Sequence, residues 1–227
     1  MAPQTVPSMV PGFHSVALPS GSRLQLVDFP GHERLRASLA RLRCLRVRSD
    51  AFFIWHLEPY ALVNGARLGR ATGRAPEWGE VNAALGQLAL LLTLTANSFR
   101  GGGGRPPFQF AQWRIVPCGS FSELGPRNGA PSESLPLHME SAGWSLVSAS
   151  PATKLGGALQ RLMQCLRELG LYVQGLDPAF KLPHDISQAG DKVGGLSVAP
   201  LSNEPWTRAM RHAATNLKWL VAFSLKA

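Results

Sequence analysis

Six histidines, three cysteines and 14 carboxylates are the chain's stock of groups for acid–base, nucleophilic or metal chemistry. Their spacing assembles none of these. Cys44, Cys118 and Cys165 are scattered, with no C-x-x-C pair for zinc and too few thiols for a disulfide framework, which suits a reducing compartment. His184-Asp185 are neighbours without a nucleophile beside them. His56 follows Trp55 in a β-prone run and reads as packed or hydrogen-bonded rather than catalytic. Glu77 and Glu80 stand three apart at a helix start, where carboxylates complement the helix dipole. The Gly101-Gly102-Gly103-Gly104 run lacks the following Lys-Ser or Lys-Thr of a phosphate loop and reads as a flexible connector. G-x-S-x-G, H-E-x-x-H and kinase H-R-D and D-F-G signatures are missing. The residues point away from an enzyme and call for no metal and no cofactor.

What remains is charge. The 23 basic residues outnumber the acidic ones to give a formal net charge of +9, and only Lys154, Lys181, Lys192, Lys218 and Lys226 of them are lysines. A basic surface suits a polyanion, either nucleic acid or an anionic membrane. A nucleic-acid reader would need an aromatic-basic strand motif or a Cys/His finger, and neither is present, so a nucleic-acid-binding domain is the rival reading.

The elements that would position any surface follow from periodicity. Residues 1–31 are rich in Pro, Ser and Gly and read as a disordered lead-in. Residues 32–50 form a basic helix, with Leu35, Leu39 and Leu42 on one stripe and arginines on the other faces. From Ala51 the pattern changes to aromatic strand runs, 51–57 and 60–64, and Asn64-Gly65 marks a hairpin turn into Ala66-Arg67-Leu68. A helix follows from about Pro76 to Phe99, apolar nearly all round and therefore central; its Asn82, Gln87, Thr93, Thr95 and Asn97 argue against a membrane span. Phe108 to Val116 reads as the next strand, and Leu135-Pro136-Leu137 and Trp144 to Val147 as short ones.

A second helix starts at Pro151 with Leu155, Leu159, Leu162, Leu166 and Leu169 on one face and is ended by Gly170. Leu171-Tyr172-Val173 and 195–198 are strand-like. The last helix, capped by Asn203-Glu204-Pro205, carries Trp206, Met210, Ala213, Leu217, Leu220 and Ser224 on one side. The chain is thus expected to be α+β, with three repeats of a small antiparallel β-sheet followed by a long α-helix. Trp55, Trp78, Trp206 and Trp219 are large enough to anchor the core between layers.

Five motifs, in order, carry a family resemblance: Phe53-Ile54-Trp55-His56 with Asn64-Gly65-Ala66-Arg67-Leu68-Gly69-Arg70; Glu77-Trp78-Gly79-Glu80-Val81-Asn82-Ala83-Ala84-Leu85-Gly86-Gln87; Arg114-Ile115-Val116-Pro117 with Gly119-Ser120; Leu135-Pro136-Leu137; and Trp206-Thr207-Arg208-Ala209-Met210 with Thr215-Asn216-Leu217-Lys218-Trp219. Together they resemble the C-terminal β-α repeated, autophagy-specific domain of the Beclin family, over residues 51–227. The resemblance implies a threefold repeat without catalytic activity. It implies a regulatory or adaptor subunit of the class III phosphatidylinositol 3-kinase complex, active in autophagy and endosomal trafficking. The implied partners are the catalytic lipid kinase, its scaffold kinase subunit and an anionic membrane surface. The implied location is cytoplasmic, peripheral on phagophore and endosomal membranes.

Residues 33–48 resemble at most the last turns of the family's coiled coil, so pairing with the second coiled-coil regulatory subunit is not expected. A truncated membrane-binding module acting outside the kinase complex is the alternative. Family members expose an aromatic finger after the Leu-Pro-Leu strand. The corresponding stretch holds Trp144, Leu146 and Val147, which the resemblance makes the candidate membrane-binding residues. From the residues alone, the same three also fit an ordinary core strand.

Overall fold

The computed structural model describes residues 12–17, 23–28, 52–71, 73, 75–99, 106–139, 151–200 and 203–226. The chain divides into two compact units, Met1–Arg46 and Val47–Ala227. The basic helix expected over 32–50 lies outside the described residues.

In the first unit, β1 (Gly12–Ala17) pairs antiparallel with β2 (Arg23–Asp28), from Gly12↔Asp28 to Ala17↔Arg23. A hairpin therefore stands where an unstructured lead-in was expected. The turn-forming residues of this stretch are concentrated outside the paired segments: Pro11 precedes β1, and Pro19 and Gly21 fall between the strands.

The second unit repeats one plan three times. In the first repeat, β3 (Ile54–Leu57), β4 (Tyr60–Val63) and β5 (Ala66–Leu68) form a sheet in that order and lead into α1 (Trp78–Ala96). Asn64 and Gly65 take φ of 51° and 85°, the left-handed pair that a two-residue hairpin between Val63 and Ala66 requires. In the second, β6 (Trp113–Val116), β7 (Glu123–Pro126) and β8 (Leu135–Pro136) form the same order and lead into α2 (Pro151–Leu176). The third has a two-stranded ladder, β9 (Lys192–Val193) with β10 (Leu196–Ser197), to which Ile186 adds an antiparallel bridge at Val193, before α3 (Asn203–Ser224).

The three helices supply most of the core. Val81, Ala84, Leu85, Leu88, Ala89, Leu91 and Leu92 of α1 are buried, as befits a helix apolar on most of its circumference. The full Leu155–Leu169 stripe of α2 is buried, and so are Trp206, Met210, Ala213, Leu217, Leu220 and Ser224 of α3. Gly86 is the joint between the first helix and the second sheet. A Cβ there would lie 1.8 Å from the Gly119 carbonyl oxygen, so only glycine lets the 118–122 turn seat on α1.

Three expectations are corrected. Gly170 does not end α2, and Leu171-Tyr172-Val173 are helical. Val173 continues the leucine stripe four residues beyond Leu169 and is fully buried, while Leu182 packs onto the bare Gly170 surface, so tertiary burial outweighs the local stop signal. The strand expected from Phe108 begins only at Trp113. Phe108 and Phe110 instead make an aromatic cluster, with Phe108 5.1 Å from Phe110 and 4.9 Å from Tyr172. Finally, Trp206 is fully buried against Trp78, but Trp55 and Trp219 are 57% and 54% exposed and anchor no core.

Candidate functional site

Trp144, Leu146 and Val147 lie within 140–150, outside the described residues. Both flanks of that segment are described, and each is tied to the scaffold. On the entering side, the Leu137 N–H donates to the Ser122 carbonyl at 2.8 Å, and Leu137 is fully buried. Two residues later the Asn82 side chain grips the Met139 backbone as a neighbouring strand would. Its Nδ2 donates to Met139 O, and Met139 N–H donates to its Oδ1, both at 2.9 Å. Asn82 is a buried amide on α1, and these two bonds offset the cost of burying it.

On the leaving side, α2 starts at Pro151 and Leu155 is already fully buried one turn later. Arg161, further along α2, ties the helix to the second sheet. Its Nη1 donates to Leu124 O at 3.1 Å and to Glu133 O at 3.2 Å, and its guanidinium lies 4.3 Å from the centre of the Trp113 ring. Burial pulls its pKa down from the ordinary arginine value. The Trp113 indole N–H in turn donates to Gln164.

Beside the entering flank, Phe121 projects from the 118–122 turn with 66% of its surface exposed, its ring edge-on to His138 at 5.3 Å. The turn is built from below. Ser122 is fully buried, accepts from Cys118 N–H at 2.9 Å and donates to Gly119 O at 2.8 Å. Phe121 escaped sequence reasoning because one aromatic in a Gly-Ser-Phe-Ser turn has no period; its only signal is its polar company. A second exposed apolar group sits on the outer face of β3, where Phe53 and Trp55 stack at 5.8 Å beside Leu57.

Among the described residues, the groups with catalytic potential that the sequence offers do not converge on one site. Glu80 accepts from the Arg67 backbone and holds its guanidinium through both carboxylate oxygens, at 2.8 Å each. That hydrogen-bonded guanidinium holds the Glu80 carboxyl below the usual carboxylate range, so it joins β5 to α1 as a fixed anion. Glu77 is the α1 N-cap without a side-chain cap bond. His56 Nε2 lies 3.5 Å from Thr215 Oγ1. His184 stacks on His212 with ring centres 3.8 Å apart, and Asn216 pins its backbone from both sides. Burial pushes the Cys165 thiol far up, away from any nucleophilic role. Among the described residues no group of three or more His, Cys, Asp or Glu could hold a metal ion, and no helix is long and apolar enough to cross a membrane.

Residues 42–226 match the family model of the Apg6 BARA domain. The chain is 32% identical over 194 residues to Beclin-1 of Xenopus laevis, which covers 82% of this chain and 41% of that protein. It is 32% identical over 193 residues to vacuolar protein sorting-associated protein 30 of Kluyveromyces marxianus, covering 81% of this chain and 39% of that one. Against Beclin-1-like protein B of Dictyostelium discoideum the identity is 28% over 193 residues, 83% of this chain and 21% of the other. The chain therefore spans less than half the length of these relatives.

Proposed function

The chain belongs to the Beclin family through its Apg6 BARA domain, and on that premise we propose that it is a non-catalytic regulatory subunit of the class III phosphatidylinositol 3-kinase complex that binds membranes in autophagy and endosomal trafficking. The carrying observation is the domain match over 42–226, continuous across all three repeats. Its partners in this reading are the catalytic lipid kinase, the scaffold kinase subunit and an anionic membrane. The protein sits in the cytoplasm and attaches peripherally to phagophore and endosomal membranes.

In this reading the membrane contact is the 140–150 segment, with Trp144, Leu146 and Val147 inserting. Three features favour that use. Both described flanks of the segment are anchored to the scaffold, Phe121 is an exposed aromatic beside the entering flank, and the net charge of +9 suits anionic lipid. Inserting a large apolar side chain contributes roughly 1.5–3 kcal/mol.

Two measurements test the proposal. Native protein should co-purify with the lipid kinase; its absence from the complex would leave a membrane module acting alone. Trp144→Ala with Leu146→Asp should leave the melting temperature unchanged and weaken sedimentation with phosphatidylserine vesicles by roughly 2 kcal/mol. A large loss of stability with unchanged vesicle affinity would instead place these residues in a core strand.

A further inference from the structure

The second sheet leaves one backbone edge open, and its register tells which groups face out. β6 is an outer strand of the order β6-β7-β8, paired only with β7. Arg127 N–H donates to Gln112 O at 2.8 Å, which fixes the phase of the ladder. Counting in steps of two, Arg114 and Val116 turn their N–H and C=O toward β7, while Trp113 and Ile115 turn theirs away. The partner opposite Trp113 is Pro126, which has no N–H to give, consistent with that phase. Among the described residues nothing hydrogen-bonds to the outward N–H and C=O groups of Trp113 and Ile115.

Those groups border a cleft of about 240 Å³ that opens to solvent. Arg114 and Ile115 lie on opposite faces of β6 yet both line it, so the cleft runs along the strand's edge. Thr93 and Ala96 of α1 form its far wall, and Phe108 and Phe110 its apolar lining. The cationic lining is the Arg114 guanidinium, exposed and without a described partner, and Arg127, held by Phe110 O at 2.8 Å and by the Gln109 amide oxygen.

We propose that this edge is a docking groove for an extended, acidic segment of a partner protein, which adds to β6 as a fourth strand. Each part of the site asks for one feature of that ligand. The free N–H and C=O groups two residues apart ask for an extended backbone, since strand addition satisfies them in register. The Arg114 guanidinium, on a chain of net charge +9, asks for a carboxylate flanking the paired stretch, while Arg127, bound to Phe110 O and Gln109 and offset by the Glu168 carboxylate, adds less. The phenylalanine lining takes one apolar side chain. A small organic ligand fits less well, because such ligands are enclosed by pockets of roughly 300–1,000 Å³ and this cleft is smaller and open.

The test is fluorescence anisotropy of the 227-residue chain with a labelled, end-capped seven-residue peptide of alternating glutamate and valine. The peptide should bind, and replacing its glutamates by lysine should weaken it at least about tenfold, equivalent to about 1.4 kcal/mol. Methylating the peptide amides that face β6 should abolish binding, whereas methylating those in the other phase should leave it within about twofold. Arg114→Glu should weaken the peptide about tenfold with an unchanged melting temperature, and Arg114→Lys should retain it.

Several results would overturn the proposal. They are failure of the glutamate peptide to bind, indifference to methylation in both phases, an Arg114-dependent dimer in sedimentation (the occupant is then a second copy), or displacement of the peptide by phosphatidylserine vesicles (the occupant is then lipid). Vesicle binding through Trp144 and Leu146 is read separately, so either proposal can fall alone.

Discussion

The first two sheets share strand order and pairing, yet their outer edges are treated in opposite ways. The β3 edge is closed by α3 from the third repeat. Lys218 Nζ donates to Ile54 O at 3.3 Å, Thr215 meets His56, and Arg211 pairs with Glu58. No described residue closes the β6 edge in this manner, and a cleft lies along it instead. Threefold repetition therefore does not carry over to the surface. α3 caps the β3 edge, whereas α1, although it meets the second repeat at Gly86 and walls the β6 cleft, leaves the backbone edge of β6 unpaired, and that is the place where the fold can accept a strand from outside. The outer face of β3 adds a further contrast, because Phe53, Trp55 and Leu57 remain exposed even though the edge itself is guarded.

The largest effect on this arrangement should come from Gly86→Ala. The added methyl would meet the Gly119 carbonyl at 1.8 Å, a contact with backbone that no rotamer change relieves. Overpacking costs about 1–3 kcal/mol and alanine regains about 1 kcal/mol of helix propensity. Displacing the buried Ser122 turn adds to the cost, so a net loss of roughly 2–3 kcal/mol is expected, or about 5–10 °C in Tm for a chain of this size. Gly79→Ala, in the same helix with nothing within 4 Å of the new Cβ, is the control and should be neutral or slightly stabilising. Equal melting of the two variants would refute the joint between first helix and second sheet.

A smaller effect, confined to the α3 seam, should follow acidification. His184 and His212 both have their pKa values lowered, chiefly by burial; Arg211 and His56 lower His184 further, and His184, Arg211 and Arg208 lower His212. His56 is lowered by burial and then by Lys218 and Arg211, against Glu58. A histidine with a depressed folded pKa favours folding as the neutral ring. Its contribution is therefore complete above the unfolded value of about 6.5 and is lost as pH falls through that value toward the folded one. Protonation would also place two cations 3.8 Å apart in the His184–His212 stack. The Tm should be level above about pH 7 and decline below about 6.5, and His184→Gln with His212→Gln should flatten that decline. An unchanged slope in the double variant would assign the decline to carboxylates elsewhere. The β6 cleft has no histidine in its lining, so peptide binding there should not follow the same profile.

Periodic features of this fold were legible in the sequence, and features set by distant neighbours were not. The five leucines of α2 and the Trp206–Ser224 face of α3 are buried as their 3.6-residue spacing requires, and Asn64-Gly65 makes its turn. Gly170 misled because a glycine after a leucine stripe looks like a C-cap, and only Leu182, twelve residues on, shows that its bare surface is a packing site. Trp55 and Trp219 misled because size argues for burial. Alternation along β3 could have warned of it, since Ile54 takes the buried side and leaves Phe53, Trp55 and Leu57 together on the other. Asn82 and Met139 are 57 residues apart, and Arg67 and Glu80 are 13 apart across a sheet-to-helix junction. Neither pairing has a local signature. The segment with Trp144, Leu146 and Val147 was singled out by resemblance alone.

The smallest expected effect on stability comes from Lys218→Met. The lysine is exposed and its bond to Ile54 O is long, so removing it should change stability by no more than about 0.5–1 kcal/mol. Its expected consequence is association. A lysine at a sheet edge places a charge where a second sheet would have to dock, and methionine removes that charge while leaving the Ile54 carbonyl unsatisfied. With Phe53, Trp55 and Leu57 exposed on the adjoining face, the variant should self-associate at concentrations where the parent chain is monomeric. The association should persist at high salt, because apolar contact and backbone pairing drive it. Arg114→Met is the matching change on the other sheet. There α1's Thr93 and Ala96 wall the cleft and stand in the way of a whole second sheet, so this variant should stay monomeric. Sedimentation velocity on the two variants reads the contrast directly: association of both would make the edges equivalent, and association of neither would mean that Lys218 does not guard β3.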